Sequence, residues 1–247
     1  EMSASLVGSE MCIRDRYNTT MKILITSGGT TEKIDAVRGI TNHSTGYLGK
    51  EIAELFLAKG HQVTLVTTKT AVKPEPKENL KITEITNVDS LLKKMEPLVK
   101  EHDVLIHSMA VSDYTPIYMT DFAELEDTED LAQFLHKSNT ESKISSASDY
   151  QVLFLKKTPK VISLVKQWNP AIQLIGFKLL VNVSKEELFE VARASLKRNK
   201  ANIIVANDLS DITPDQHIAY LVDEKNEEKV TTKSAIAQAL FERICHD

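Results

Sequence analysis

Three features that would point to common protein classes are missing from this chain. It has two cysteines, Cys12 and Cys245, near opposite ends and without metal-type spacing. The sequence therefore predicts no disulfide framework and a reducing, cytoplasmic location. No apolar run approaches the length of about 20 residues that a membrane helix needs. Lysine and arginine are scattered and outnumbered, 30 against 35 acidic residues, which argues against a nucleic-acid footprint. Internal repeats and low-complexity tracts are also lacking.

The rest of the composition is that of an ordinary globular protein. The 247 residues, 42% hydrophobic and 26% charged, can form one large domain or two small ones around a buried core. Residues 1–20 lack apolar periodicity and a signal-peptide core, and a clean strand pattern starts at Met21. We expect residues 1–20 to be a leader or artefact, with a short disordered arm as the alternative. Residues 21–247 should form a single domain.

From Met21 onward, short β-branched runs alternate with amphipathic stretches. This alternation predicts an α/β fold, a Rossmann-like and mostly parallel sheet with helices on both faces. Residues 112–150 interrupt it with a polar, acidic stretch, for which we expect a flap with one short helix. A C-terminal hairpin and a terminal helix should close the chain. The predicted strands are 21–27, 62–68, 81–86, 103–110, 151–157, 172–178, 202–208, 217–223 and 228–232, and the predicted helices are 46–60, 88–101, 159–168, 184–198 and 234–244.

Four of the predicted strands end in polar or glycine-rich segments. In open parallel sheets, ligands bind beyond the carboxyl ends of the strands, and these ends meet at one edge. Together the four segments therefore predict a ligand site, although no single one of them would. They are residues 27–30 (SGGT), 110–114 (AVSDY), 176–178 (GFK) and 206–210 (ANDLS).

The Gly28–Gly29 pair and the helix start that follows it predict a phosphate cradle. Glycine lacks a Cβ, so the backbone can turn sharply there and approach a ligand. Ser44, Thr45 and Gly46 stand at the start of a predicted helix, where free N–H groups and the helix dipole favour an anion. Gly49 allows close packing one turn later. The alternative is structural: Thr45 caps the helix and the glycines make turns.

Standard nucleotide motifs are absent from this region. About a dozen residues separate Gly29 from Asn42, which is not the spacing of a dinucleotide fingerprint. No acidic residue ends the strand 62–68, where one would hold an adenosine ribose. No GK[ST] follows the glycines, so the segment is not a P-loop either.

Three other polar positions have two interpretations each. Lys143 in the flap is either a solvated surface lysine or a cation that a closing loop brings over a phosphate. Asp113 either orients an amide or hydroxyl of a ligand or caps a turn. The pair 207–208 (Asn-Asp) either binds a base or ribose or turns the chain.

These segments, taken together and in this order, resemble the phosphopantothenate–cysteine ligase family, in its stand-alone bacterial type. The resemblance spans essentially all of residues 21–247. The matching pieces are residues 27–49 (SGGTTEKIDAVRGITNHSTGYLG), 110–114 (AVSDY), 143–146 (KISS), 158–162 (TPKVI), 176–178 (GFK) and 206–208 (AND).

The resemblance implies a ligase of coenzyme A biosynthesis that joins 4′-phosphopantothenate and L-cysteine. The substrate carboxylate attacks the α-phosphate of a nucleoside triphosphate, CTP in preference to ATP, and pyrophosphate leaves. The amine of cysteine then displaces CMP from the acyl-cytidylate, giving 4′-phosphopantothenoylcysteine. Both steps place charge on oxygens, so positioning, Mg²⁺ and preorganised donors would supply most of the catalysis. Metal ligands stay unassigned, because His43, His102 and His107 show no ligand spacing.

The resemblance also implies roles for individual residues. Asn42 and Lys143 would be catalytic: Asn42 would bind the pantothenate part and help the acyl-nucleotide react with cysteine, and Lys143 would contact phosphates. Ala110 and Asp113 would hold the pantothenoyl amides beside Asn42. The residues expected to bind the nucleotide are Gly28, Gly29, Ser44, Gly46, Gly49, Pro159, Lys160, Val161, Ile162, Phe177 and Asn207.

The sequence departs from the family pattern in two places. Met109 stands where many members carry Ala, beside the expected pantothenate site. Some bacterial members place two lysines on the late helix to bind the triphosphate, but the aligned positions here are Ser195 and Asn199. The nearest lysines, Lys197 and Lys200, are displaced, which leaves the triphosphate contacts and the choice between CTP and ATP open.

The resemblance further implies a homodimer, in which flap residues approach the neighbour's site, and no nucleic-acid or membrane partner. It also implies a separate decarboxylase chain that acts next in the pathway.

Two other classes of function compete with the ligase. One is an NAD(P)-linked oxidoreductase, for which the ribose acid and a Tyr-x-x-x-Lys pair are missing. The other is a non-catalytic nucleotide-binding regulator, in which Asn42 and Lys143 would be structural.

Overall fold

The computed structural model describes residues 19–246. The predicted leader, residues 1–20, thus lies outside the described residues except for its last two positions. The strands are β1 (Lys22–Thr26), β2 (Thr31–Lys33), β3 (Gly39–Thr41), β4 (Gln62–Thr67), β5 (Leu80–Glu84), β6 (Val104–His107), β7 (Tyr114–Asp121), β8 (Gln151–Lys157), β9 (Gln173–Leu180), β10 (Ile203–Asp208), β11 (Ala219–Val222) and β12 (Glu227–Val230). The α-helices are α1 (Tyr47–Ala58), α2 (Val88–Glu101), α3 (Phe122–Glu126), α4 (Val165–Trp168), α5 (Lys185–Asn199) and α6 (Lys233–His246), and 3₁₀ turns span Leu131–His136, Val161–Leu164 and Leu209–Asp211.

Eight strands form the central sheet, in the order β12-β11-β10-β9-β6-β1-β4-β5. The six strands from β10 to β5 run parallel, and β11 and β12 add an antiparallel hairpin. The chain builds outward from β1 through β4 to β5, then returns to place β6 on the other side of β1. This reversal is the topological switch point where open α/β sheets bind ligands. The Rossmann-like sheet and the C-terminal hairpin predicted from the sequence are confirmed.

Helices cover both faces of the inner parallel strands, which explains why those strands are mostly apolar. On one face, α1 and α6 pack against β1, β4, β6 and β10 around fully buried Phe56 and Leu240. On the other face, α2 and the segment ending in α4 pack around Leu91 and Val165, and α5 packs on β10 and β11. Within residues 19–246, no helix is both long and apolar enough to cross a membrane.

The predicted flap is more ordered than the sequence suggested. The expected short helix is present as α3, but the predicted strands left out β7, a long strand that occupies the first part of the flap. The placement implied for residues 151–157 is wrong: β8 pairs antiparallel with β7 in a separate ribbon, not within the main sheet. The ribbon has its own apolar centre, because Phe134 is fully buried and stacks at 5.3 Å on Phe154. Aromatic packing across the ribbon thus replaces the missing neighbour strands.

Candidate functional site

The loops that leave β1 and β6 run side by side past the ends of their strands. The Ala110 amide donates to the Gly28 carbonyl at 2.9 Å, and the Thr30 amide donates back to the Ala110 carbonyl at 3.0 Å. Gly29 and Ala110 consequently form an isolated parallel bridge. Two of the strand ends predicted to meet are thus joined by backbone hydrogen bonds at the switch point.

Gly29 brings Asn42 onto this pair of loops. A Cβ at Gly29 would lie under 3.0 Å from the Asn42 carbonyl oxygen, so only glycine allows the two backbones to approach this closely. The Asn42 amide also donates to the Thr30 carbonyl at 3.3 Å. The Ser112 hydroxyl donates to Asn42 Oδ1 at 3.4 Å and lies 2.7 Å from the Thr30 hydroxyl. Asn42 is half-buried, with its backbone amide held by Thr30 and its side chain held by Ser112.

The start of α1 packs directly on the same strand ends. Its N-cap is Gly46, which has a left-handed conformation (φ 84°), so the alternative in which Thr45 is the N-cap is wrong, although the Thr45 hydroxyl accepts from the Tyr47 amide at 3.4 Å. A Cβ at Gly49 would overlap the Cβ of Ser27, which shows that the helix start lies against the end of β1. The other N–H groups of this first turn and the positive end of the helix dipole therefore face the switch point, a suitable place for a phosphate. Ser44 is exposed at this helix start.

The glycines make this geometry possible mainly through packing. Gly28 has φ 82°, and a Cβ there would lie 3.0 Å from both the Ala71 Cβ and the Thr68 hydroxyl. A Cβ at Gly46 would lie 3.1 Å from the same Ala71 Cβ. The predicted glycine turn is present. Because Gly28 and Gly46 have no side chains, the loop that follows β4 can pack closely against them.

A second group of predicted residues surrounds Asp113. Its carboxylate pairs with Lys160, and both side chains are well exposed, so the pair contributes little to stability. The Thr158 hydroxyl donates to the Ser112 carbonyl at 2.6 Å, which ties the segment Pro159–Ile162 to the Ala110–Asp113 loop. Val161 is buried in the core.

The predicted nucleotide residues on β9 and β10 lie one and two strands beyond β6. Phe177 is half-buried against the core and pairs in register with Val205. Asn207 is buried, and its Nδ2 lies 3.1 Å from His217 Nε2. Burial lowers the pKa of His217, so its ring is neutral at neutral pH. The sequence had not indicated His217, which stands in the loop before β11.

Asp208 has a structural role, which resolves one of the open interpretations. Its carboxylate accepts hydrogen bonds from Ser210 and from the amides of Asn182 and Val183. The Ser210 hydroxyl and these amides hold the pKa of Asp208 well below its usual range. Asp208 therefore turns the chain between the ends of β9 and β10.

Lys143 is exposed, and the residues on either side of it are docked on the β2–β3 hairpin. The Ala36 amide donates to the Ser142 carbonyl at 2.9 Å, and the Ile144 amide donates to Asp35 Oδ2 at 3.0 Å. The Arg38 side chain and the Ile144 amide hold the pKa of Asp35 well below its usual range. Sequence reasoning missed Asp35 and Arg38, although both lie within the segment that carries the family resemblance.

The displaced lysines of the late helix lie at the opposite edge of the sheet. Lys200 ends α5, and β10 begins three residues later at Ile203, so both Lys197 and Lys200 lie near the amino ends of the strands. Lys197 lines a cavity of about 830 Å³ at that edge, together with Arg243. The length of a six-residue strand, roughly 17 Å, separates them from the carboxyl ends. Ser195 and Asn199 are buried and hydrogen-bonded to each other.

Comparisons with known proteins agree with this fold. A family model described as the DNA/pantothenate metabolism flavoprotein C-terminal domain matches residues 19–123 and 128–246. The coenzyme A biosynthesis bifunctional protein CoaBC of Thermococcus kodakarensis is 34% identical over 227 residues, which cover 90% of this chain and 50% of that protein. The chain thus spans about half the length of the curated relatives it matches.

Two solved structures extend the comparison. The DNA/pantothenate metabolism flavoprotein from Streptococcus pneumoniae is 57% identical with a TM-score of 0.88, covering 91% of this chain and 98% of that one. The C-terminal domain of a coenzyme A biosynthesis bifunctional protein CoaBC is 26% identical with a TM-score of 0.68, covering 94% and 97%. The family resemblance predicted from the sequence is confirmed: the chain belongs to the family of DNA/pantothenate metabolism flavoprotein C-terminal domains.

Proposed function

We propose that the chain joins 4′-phosphopantothenate to L-cysteine through an acyl-nucleotide, as a step of coenzyme A biosynthesis. The observation that carries this proposal is the position of Asn42, held at the switch point between the glycine turn and the Ala110–Asp113 loop. Family membership and the name of the Thermococcus relative support the pathway. Because the chain spans about half of that relative, its activity, substrates and partners are proposals.

The geometry suits the two halves of the proposed reaction. The start of α1 can hold the phosphates of the nucleotide, so the substrate carboxylate attacks a fixed α-phosphate. With Oδ1 turned toward the Ser112 hydroxyl, Asn42 keeps its Nδ2 donors for the substrate. Such donors stabilise the oxygen charge that grows when cysteine attacks the acyl carbonyl. Lys143 would add a cation over the phosphates from the flap.

We propose CTP as the nucleotide and Mg²⁺ as its counter-ion. The described part of the chain has no group of three or more His, Cys, Asp or Glu placed so that it could hold a metal ion. This agrees with a Mg²⁺ that arrives on the triphosphate, since Mg²⁺ commonly binds through substrate phosphates and one or two carboxylates. Within one chain Lys197 and Lys200 are too distant to contact that triphosphate, so the preference for CTP over ATP rests on the family resemblance.

One assay tests the reaction and the nucleotide together. Purified protein with Mg²⁺ is given CTP or ATP, with and without 4′-phosphopantothenate, and pyrophosphate is measured before and after cysteine is added. We expect release that depends on 4′-phosphopantothenate and is faster with CTP, followed by CMP formation on addition of cysteine. Release at the same rate from nucleotide alone would refute the ligase. Binding of nucleotide without any release would favour the regulator.

An NAD(P)-linked oxidoreductase is not favoured by the structure around the glycine turn. β4 ends at Thr67, and the hydroxyls of Thr67 and of Thr68, which follows it, pack against Gly28 where a ribose-binding acid would be expected. A homodimer, a cytoplasmic location and a separate decarboxylase chain that acts next remain predictions. Sedimentation of the purified protein would test the first of these.

A further inference from the structure

The flap is anchored to the hairpin on both sides of Lys143. The Ser142 carbonyl accepts from the Ala36 amide at 2.9 Å, and the Ile144 carbonyl accepts from Arg38 Nη2 at 2.7 Å. Ile144 itself is buried, whereas Lys143 is exposed. The backbone around Lys143 is thus fixed while its ammonium group projects outward.

Asp35 divides its two carboxylate oxygens between two tasks. Oδ1 accepts from the amides of Val37 and Arg38 at 2.9 and 2.8 Å, which closes the turn of the hairpin. Oδ2 accepts from Arg38 Nη2 at 2.7 Å and from the Ile144 amide at 3.0 Å, which attaches the flap. The Asp35 side chain is fully buried. One oxygen therefore forms the local turn and the other makes a contact 109 positions away in sequence.

The same hairpin leads directly to Asn42. β2 and β3 pair antiparallel with Thr31 opposite Thr41, and the two threonine hydroxyls lie 2.7 Å apart. Asn42 follows β3 without a break and is bonded back to Thr30. The hairpin thus carries one proposed catalytic residue at its base and holds the backbone of the other at its tip.

We propose that Asp35 is a positioning residue for the ligase reaction: its Oδ2 docks the flap onto the β2–β3 hairpin and sets the position of Lys143 relative to the Asn42 strand. This rests on the proposed function, since Lys143 is given its role there. Residues 137–150 contain no helix or strand, so without such an anchor the ammonium group would be spread over many positions. Spreading a cation away from the phosphates weakens its stabilisation of the transition state.

The substitution Asp35→Asn separates the two tasks. An amide oxygen in the Oδ1 position still accepts from Val37 and Arg38, so the turn is kept. The amide nitrogen in the Oδ2 position cannot accept from the Ile144 amide or the Arg38 guanidinium. Asp130→Asn is the matched control, because Asp130 lies in the same flap and accepts only from the nearby Ala132 amide at 3.0 Å among the bonds that the structure gives it.

Three measurements on full-length protein decide the proposal. In Asp35→Asn, hydrogen exchange should rise at least about tenfold at residues 142–144, and kcat should fall by about tenfold to a hundredfold with KM within about twofold. Lys143→Ala should also lower kcat. The double variant Asp35→Asn/Lys143→Ala should match Lys143→Ala alone, because a residue that acts through Lys143 has no effect once it is gone. The Asp130→Asn control should stay within about twofold of the unsubstituted protein on all counts.

Two results would overturn the proposal. One is an unchanged rate of backbone amide hydrogen exchange at residues 142–144 in Asp35→Asn. The other is a double variant whose fold-loss in kcat equals the product of the two single fold-losses. That result would mean that Asp35 acts independently of Lys143. If Asp35→Asn does not fold, Ile144→Pro removes the other partner of the same hydrogen bond and leaves the turn intact. Failure of the ligase itself is recognised separately, in unsubstituted protein that releases no pyrophosphate with 4′-phosphopantothenate, and exchange still decides whether Asp35 holds the flap.

Discussion

At the scale of the residue, the site depends on glycines, whose lack of a Cβ allows neighbouring segments to pack closely. A Cβ at Gly29 would collide with the Asn42 backbone, and one at Gly49 with Ser27. Gly60 also has a positive φ, of 85°, but its Cβ would meet nothing within 4 Å. The chain therefore contains glycines needed for close approach and a glycine needed only for its backbone conformation.

This difference predicts that two alanine substitutions both lower stability but differ in their effect on activity. Gly29→Ala should push Asn42 away, costing about 1–3 kcal/mol of folding stability and at least tenfold in pyrophosphate release. Gly60→Ala should cost about 1–2 kcal/mol of stability through left-handed strain alone and leave the activity unchanged. Urea unfolding and the pyrophosphate assay measure the two quantities. Equal activity in both variants would contradict the role given to the Gly29–Asn42 contact.

Asn42 supports a prediction about the order of the two half-reactions. Asn42→Asp replaces the Nδ2 donors with a charged acceptor, so the attack of cysteine on the acyl-nucleotide should slow by about a hundredfold. Pyrophosphate release should persist for one turnover, and the acyl-nucleotide should accumulate. Rapid quenching and chromatography of the nucleotide products would detect it. Unchanged turnover in this variant would remove the role proposed for Asn42.

At the scale of the element, α2 is joined to the site through its N-terminus. Asn87 and Ser90 form a capping box there. Buried Glu32, on β2, accepts from the Val88 amide at 2.9 Å and from the Thr115 hydroxyl at 3.0 Å. A single carboxylate thus connects the hairpin, the start of α2 and the β7–β8 ribbon.

The position of this carboxylate predicts a measurable stability effect. Glu32→Ala should lower the free energy of unfolding by about 2 kcal/mol, because it leaves the Val88 amide without its partner at the positive end of a helix dipole. Asp89→Asn is the control in the same helix turn. Asp89 pairs with Lys93 on the surface, where both side chains are more than 70% exposed, so its loss should cost under about 0.5 kcal/mol. Similar losses in urea unfolding of the two variants would argue against a specific role for Glu32.

The elements that could be predicted from the sequence are those whose pattern is local. The inner parallel strands are mostly apolar runs, and α1 has a clear apolar face that ends at Gly60. β7 was missed because its alternation is broken by a bulge between Pro116 and Tyr118, and its partner β8 lies 30 residues further along. Likewise, the contact of Asp35 with Ile144 has no local signal. Candidate site residues could be proposed from motifs, but the hydrogen bonds that join them could be seen only in the fold.

At the scale of the whole molecule, the two edges of the sheet carry different groups of charges. The carboxyl edge holds the glycine turn, Asn42 and Asp113, while α5 delivers Lys197 and Lys200 to the amino edge. At the amino edge, Arg243 pairs with Asp223 and Glu228 beside the cavity that Lys197 lines. Cations at this edge therefore form part of a mixed-charge surface and not of the phosphate cradle.

This separation predicts which lysines affect nucleotide binding. Lys197→Ala and Lys200→Ala should leave the KM for CTP and the kcat within about twofold, because surface charges farther away than a Debye length of about 8 Å are largely screened at physiological salt. Lys143→Ala should lower kcat about tenfold or more, since its cation would act at the phosphates themselves. Steady-state kinetics of the three variants at the same ionic strength measures the difference. An increase in the KM for CTP in Lys197→Ala or Lys200→Ala would show that the amino edge reaches a nucleotide after all. Such a contact would have to come from a second copy of the chain, because the length of β10 prevents it within one.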